Sequence, residues 1–199
     1  MLKAARVSLS ALVLATVAVF SPSAAAATWD IDSTHSTVGF VVKHLVIAKV
    51  RGQFKAFSGT LLLDDKDITK STVTVAIDPG SVDTDNETRD KHLKSADFFD
   101  VATFKEMKFV STKVEKAGDG LKVTGNFTLH GVTKPVVLEV EGPSVEVKDP
   151  GGNAHVAFSA HTTIKRADFG LTWNKAIEGG SVVGDDVKIE LELELKNKR

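Results

Sequence analysis

The chain has no cysteine and no tyrosine among its 199 residues. The first absence rules out thiol catalysis, cysteine-ligated metal sites and disulfide bonds, so stability must come from an ordinary apolar core. The second leaves any internal cavity without a phenol hydroxyl, which suits a hydrocarbon ligand better than a polar one. Neither sign of charge dominates, since 25 Lys and Arg face 26 Asp and Glu. A mildly acidic chain is a poor binder of nucleic acid, whose phosphates demand a basic surface. The sequence also lacks a G-x-S-x-G elbow, a Walker loop, an H-E-x-x-H helix and a dinucleotide fingerprint.

The longest apolar run, Val7 to Phe20, is too short for a comfortable membrane span. It follows Lys3 and Arg6 and precedes the small-residue stretch Ser21 to Ala27, the three-part pattern of a secretory signal peptide. Cleavage after Ala26 or Ala27 fits the preference for small residues. The second choice divides the chain into a leader, 1–27, and a single domain, 28–199. A periplasmic or secreted location is the resulting expectation.

What remains is strand after strand. In the last segment Val187, Ile189, Leu191, Leu193 and Leu195 alternate with Lys188, Glu190, Glu192, Glu194 and Lys196, so one face is buried and the other is wet. Val38, Phe40, Val42 and His44 share a face near the start, and a long stretch runs from Val50 to Leu63. Further strands read at Thr72–Asp78, Phe104–Lys116, Leu121–His130, Lys134–Val147 and Ala154–Lys165, about eight in all by their period of two. Turn chemistry falls between them at Asp78-Pro79-Gly80, Gly118-Asp119-Gly120, Gly142-Pro143, Asp149-Pro150-Gly151-Gly152 and Gly179-Gly180. Short connections make neighbours antiparallel, and the length of the strands favours an up-and-down β-barrel, which has no open edge. Periodicity alone is equally compatible with a sandwich.

One segment departs from this pattern. Thr84 to Asp100, between the third and fourth strands, reads as a short helix with a capping box from Thr84 to Glu87. Asp85 and Glu87 suit the positive end of its dipole, and Asp90 and Lys94 form an i, i+4 pair. Arg89 and His92 share a face beside the apolar pair Phe98-Phe99. Two roles fit Arg89: pinning the helix through a carboxylate such as Asp83 or Asp97, or presenting a guanidinium fork to an anionic head group. The six histidines lie far apart without H-x-H or H-x3-H spacing, so no metal site is expected. His44, on the apolar face of its strand, fits either a backbone-bonded residue at the barrel end or a ligand contact. A barrel of this size is either filled by side chains or holds one small ligand. Phe40, Phe54, Phe109, Phe127 and Phe158 are the candidate lining of such a cavity, together with Val38 and Val42.

Several of these patterns in one order carry a resemblance. Trp29-Asp30-Ile31-Asp32 with His35-Ser36, the Val38 to His44 strand, Gly52-x-Phe54, Ser81-Val82-x-Thr84, Arg89-Asp90-x-His92-Leu93, Asp97-Phe98-Phe99-Asp100, Gly125-x-Phe127-x-Leu129-His130-Gly131-Val132-Thr133 and Arg166-x-Asp168-Phe169-Gly170 together resemble the YceI-like family over essentially the whole domain. Lys105 stands where many relatives have proline. The resemblance implies a mainly β, antiparallel, eight-stranded, lipocalin-like barrel that encloses a long-chain isoprenoid, quinone-like or fatty lipid in the periplasm. It implies binding or transport without cofactor or catalytic residue, transient contact with a membrane or membrane protein, and compatibility with a dimer. On that reading His44, Arg89, His92 and Arg166 are head-group or mouth residues. A lipid-modifying enzyme using His44 or His92, and an interaction module with a filled barrel, are the competing readings.

Overall fold

The structure, a computed structural model, describes residues 26–197. The expected leader falls almost wholly on residues outside that range. Eight antiparallel arms form a ring. The first comprises β1 (Ala27–Ile31) and β2 (Thr37–His44), the second β3 (Ala48–Phe54) and β4 (Phe57–Leu63), and the third β5 (Thr72–Ile77) and β6 (Val82–Asp83). After helix α1 (Glu87–Lys94) come β7 (Met107–Ala117), β8 (Gly120–Leu129) and β9 (Val132–Glu141) as the fourth, fifth and sixth arms. The short β10 (Val147–Lys148) lies against the seventh arm, β11 (Ala154–Lys165). A separate hairpin of β12 (Ala176–Ile177) and β13 (Gly180–Ser181) precedes the eighth arm, β14 (Val183–Asn197).

Each arm pairs with the next, and β14 closes the ring. The whole length of β11 pairs with it, from Ala154↔Asn197 to Lys165↔Asp186. The other edge of β14 is shared by β2 and β1, through Ile189↔Phe40 and Ile31↔Leu195 among others. The result is the expected up-and-down barrel with its helix between the third and fourth arms. No helix among the described residues is long and apolar enough to cross a membrane.

Three neighbouring arms are broken where the sequence suggested continuous strands or none. The stretch from Val50 to Leu63 divides at Lys55-Ala56, opposite a 3-10 turn at Pro79–Ser81 in the third arm. Proline cannot donate to a ladder, and Ser81 replaces the missing rungs: its carbonyl accepts from Lys55 N and its Oγ from Ala56 N. The first arm begins earlier than the alternation indicated, with Ala27–Ile31 paired to β4 as Ala27↔Leu63 through Asp30↔Thr60. Its break at residues 32–36 is tied to β14, where Asp32 N donates to Glu194 O and Glu194 N donates to Ser36 Oγ. The sixth arm stops at Glu141, short of Val147, because Gly142-Pro143 interrupts the ladder.

The inward faces form two joined clusters. The larger includes Phe54, Ile77, Phe109, Phe127, Leu129, Phe169 and Leu171. The smaller plugs the end away from the helix with Trp29, Leu61, Leu63, Val156 and Leu195, and Trp29 there is only 2% exposed. That far end also carries the segment 142–153, organised by Asp149. The Asp149 carboxylate accepts from Asn153 N at 2.8 Å and Asn153 Nδ2 at 2.7 Å, and it faces His155 Nε2 at 3.3 Å. The Asn153 bonds, chiefly, hold its pKa down to about 2.

A carboxyl group whose folded pKa is depressed contributes stability above its unfolded value, and that contribution is lost as pH falls through the folded value. Between the ordinary value of 3.8 and about 2 the 142–153 segment therefore loosens. Amide exchange by NMR will show the Asn153 N–H losing protection over that interval. Asp149→Asn will weaken the protection already at neutral pH and remove its acid titration.

Candidate functional site

The inward side chains do not fill the barrel. They enclose a cavity of about 240 Å³ that runs from Leu63, Ile68 and Ser71 at the far end to Val42, Val183 and Leu171 at the helix end. All seven apolar residues expected from the sequence line it: Val38, Phe40, Val42, Phe54, Phe109, Phe127 and Phe158. The structure adds Val136 and Leu138 from the sixth arm, and Ile189, Leu191 and Leu193 from the eighth, whose period-two pattern already placed them on one face. Along β14 the inward residues Val187, Ile189, Leu191 and Leu193 remain only half-buried, as expected of a wall facing open space.

Two glycines help to keep that space. A Cβ on Gly52 would meet the Phe40 ring at 2.4 Å, and one on Gly125 would meet the Phe109 ring at 2.3 Å. Each ring therefore lies back over the neighbouring strand, where any side chain would push it into the lumen. Gly125→Val will cost about 1–3 kcal/mol of unfolding free energy by overpacking, read by chemical denaturation.

The helix end is capped. Asn86 is the N-cap of α1, its Oδ1 accepting from Arg89 N at 2.9 Å, in place of the expected Thr84–Glu87 box. Thr84 is instead buried in the joint below. Its N–H and hydroxyl both donate to Asp90 Oδ1, while Arg89 donates through Nε to Thr84 Oγ1 and through Nη2 to Thr84 O, each at 2.7 Å. Arg89 thus ties α1 to the end of the third arm through Thr84, where the sequence suggested Asp83 or Asp97. Glu87 and Asp90 in the first turn and Lys91, His92 and Lys94 in the last complement the helix dipole.

Beyond the helix the chain turns under the barrel end, and Leu93, Phe98 and Phe99 reach the cavity. His92 Nε2 lies 2.8 Å from Asp97 Oδ2. Its ring meets Phe98 and Trp173 edge-on, with centroids 5.0 and 4.8 Å away. This stack joins the helix segment to the 166–182 connection. His92 and Arg89 are therefore parts of the cap, and neither lines the cavity.

Arg166 is placed differently. It opens a 3-10 turn, Arg166–Phe169, at the end of β11, and it is 6% exposed. Nε donates to Gly184 O at 3.0 Å, and Nη1 donates to Leu171 O and to Trp173 O. Nη2 has no hydrogen-bond partner among the described residues. No carboxylate among the described residues bonds to this guanidinium. Burial pulls its pKa down, and nearby Asp185 partly offsets that. Arg166 is the one charged residue among the described residues lining the cavity. His44 stands at the same end, half-buried on the inward face of β2 one rung beyond Val42, and its ring has no hydrogen-bond partner among the described residues.

The histidines separated in sequence do converge in part. Ligand atoms of Asp32, His35 and Glu194 lie within 4.8 Å of one another on the outer surface, and His155 Nδ1 meets Glu194 Oε1 at 2.7 Å. Asp32 lies 3.1 Å from His35 Nδ1, which lowers the carboxyl pKa and raises that of the imidazole. This group pins the break in the first arm to β14 and lies on the opposite side of the wall from the cavity lining.

Arg89→Met should lower stability by about 1–3 kcal/mol in chemical denaturation, through the bonds lost to Thr84. The cavity, which Arg89 does not line, should take up an apolar fluorescent probe per folded protein as the parent does.

Residues 29–195 match the YceI-like domain family. Protein YceI of Salmonella newport (strain SL254) is 44% identical over 161 residues, spanning 80% of this chain and 84% of that protein. Among solved structures, the Campylobacter jejuni YCEI protein is 35% identical with a TM-score of 0.68, covering 84% of this chain and 96% of that one. Burkholderia cenocepacia BcnA is 25% identical with a TM-score of 0.71, over 82% and 98%. A polyisoprenoid binding domain from Saccharophagus degradans, implicated in plant cell wall breakdown, shares the fold at 20% identity and a TM-score of 0.60, over 87% and 99%.

Proposed function

The chain belongs to the YceI-like family, and from that premise we propose that it binds, and carries or sequesters, a long-chain isoprenoid or similar amphiphile inside its barrel. The observation that carries this reading is the cavity itself: a long apolar wall with a single cation, Arg166, at one end. Burying hydrocarbon contributes roughly 0.8 kcal/mol per CH2, so a chain of modest length has ample gross affinity before its head is engaged. The polyisoprenoid-binding neighbour supports the ligand class.

Polarity within the tube supports an orientation. Arg166 lies at the helix end with Nη2 uncommitted and no bonded carboxylate, an arrangement that favours an anionic head group at that position. The tail then points towards the Trp29 plug. His44 stands near the same end as a second donor, whereas Arg89 and His92 support the cap through Thr84 and Asp97. The site is read as a binding site because its lining supplies apolar surface and one cation, without an adjacent acid–base pair.

The proposal includes export. Ala27 pairs with Leu63, so cleavage after Ala26 leaves β1 whole, while cleavage after Ala27 removes its first rung. N-terminal sequencing of protein recovered from the periplasm or medium is expected to begin at Ala27; full-length protein confined to the cytoplasm would overturn the export reading.

Organic extraction of the purified protein followed by lipid mass spectrometry should yield a defined long-chain lipid, and a barrel recovered without one under native purification would count against the reading. With the unmodified protein, a prenyl phosphate should bind about 10- to 100-fold more tightly than the prenyl alcohol of equal chain length, the worth of one charge-assisted hydrogen bond. Equal affinities would remove Arg166 from the head-group role and leave the hydrocarbon site in place.

A further inference from the structure

The turn between β2 and β3 is built from residues that neither folding nor solubility explains. Leu45, Val46 and Ile47 are 39%, 52% and 88% exposed. Leu45 and Val46 both adopt positive φ, 51° and 67°, a region that β-branched residues rarely enter. Two other tight turns place a glycine at such a position, Gly118 in one and Gly131 after His130 in the other. Here three large apolar side chains are held out in water, two of them on a backbone that disfavours them.

The turn does not stand alone. Leu45 N donates to Val182 O at 2.9 Å, and a Cβ built on Gly180 would come within 2.9 Å of Val46 Cγ2. Gly180 pairs with Ile177 across the β12–β13 hairpin, and Ile177 is also exposed. The four side chains therefore form one apolar brow across two hairpins. Directly behind it, Lys43 and Lys49 oppose each other in the ladder, both exposed. Like charges in register repel, so this pair gains nothing for the sheet. Lys175 adds a third cation, its Nζ 6.0 Å from the Trp173 ring. Of the nearby acids, Asp186 pairs with Lys165 and Glu190 with Arg51, while Asp185, bonded to Ala167 N, and Glu178 on the hairpin keep their charge against the three lysines.

Large apolar side chains at a tip with lysines set just behind them match the chemistry of a bilayer interface. The apolar groups enter the acyl boundary, and the ammonium groups remain level with anionic head groups. The position is also continuous with the cavity, whose lining reaches Val42 and Val183, on the rungs beside the turn. We infer that Leu45, Val46, Ile47 and Ile177 form a membrane-docking surface for an anionic bilayer, with Lys43 and Lys49 at head-group level. Docking there sets the Arg166 end of the tube against the lipid. The docking itself is independent of cavity contents; its use as a loading step rests on the lipid-binding function proposed above. The opposite end also exposes Val145 and Val147, but on a segment where Glu141, Glu146 and Asp149 outnumber Lys148, a poorer match to anionic lipid.

Co-sedimentation of the barrel with vesicles of equal parts phosphatidylglycerol and phosphatidylcholine tests the inference, with pure phosphatidylcholine vesicles alongside. The protein should bind the anionic vesicles. Ile47→Asp should abolish binding at unchanged melting temperature, and Lys43→Glu with Lys49→Glu should weaken it by roughly tenfold or more, given about 1 kcal/mol per basic residue near such a surface. Val145→Asp should bind like the parent. Equal sedimentation of the parent and Ile47→Asp would overturn the inference, as would loss of binding in Val145→Asp. A concentration-dependent dimer that Ile47→Asp dissolves would overturn it in favour of a second copy as the occupant. Prenyl phosphate binding in vesicle-free solution, measured on Ile47→Asp, separates the two proposals: retained binding with lost docking leaves the cavity reading intact, while loss of prenyl phosphate binding in the parent strikes the cavity reading and not the docking.

Discussion

Closure of the ring by the eighth arm is the constraint on which the rest depends. β14 pairs along one edge with the whole of β11 and divides the other between β2 and β1, so the first and last arms meet across a hydrogen-bonded seam. Its alternation of Val, Ile and Leu with Lys and Glu then has a single solution, with apolar residues turned inward and charges outward. Closure also gives the cavity a continuous wall. An open sheet with the same inward face would collapse onto itself or onto a partner, since its apolar surface would lie in water.

The interruptions in the first three arms are the counterpart of that closure. Hydrogen bonds lost at Lys55-Ala56 and at Pro79 are replaced through Ser81, and those lost at residues 32–36 are replaced through Ser36 and Glu194. Backbone polar groups are thus satisfied without a regular ladder, as burial near an apolar wall requires. The interior is likewise kept open by particular contacts. Phe40 and Phe109 lie over Gly52 and Gly125, so two large rings lie back against the wall instead of crossing the lumen.

Charge at the helix end is sorted by partner. Arg89 and His92 bond to Thr84 and Asp97 and hold α1 and the aromatic stack in place. Arg166 bonds to three carbonyl groups, which orient it without neutralising it. A buried cation with no bonded anion is costly unless something supplies the opposite charge. Among these residues it is therefore the partner set, rather than the side-chain type, that separates the guanidinium that braces the cap from the one held by carbonyl groups alone.

Closure into a barrel instead of a sandwich lay beyond periodicity, but the antiparallel β class, the place of the helix and the inward residues Val38, Phe40, Val42, Phe54, Phe109, Phe127 and Phe158 were legible in the sequence. These depend on a period of two and on turn chemistry, both written locally along the chain. It missed β1, whose five residues show too little alternation to register, and it misplaced the N-cap by two positions because Thr84 and Asn86 are both good caps. It took the packing of the whole chain to show that the barrel is hollow, that Arg166 borders the cavity while Arg89 turns to Thr84, and that His35 and His155 gather around Glu194. Those outcomes depend on which strands become neighbours across the ring and on where each side chain finds its partner, and neither is encoded at a fixed spacing in sequence.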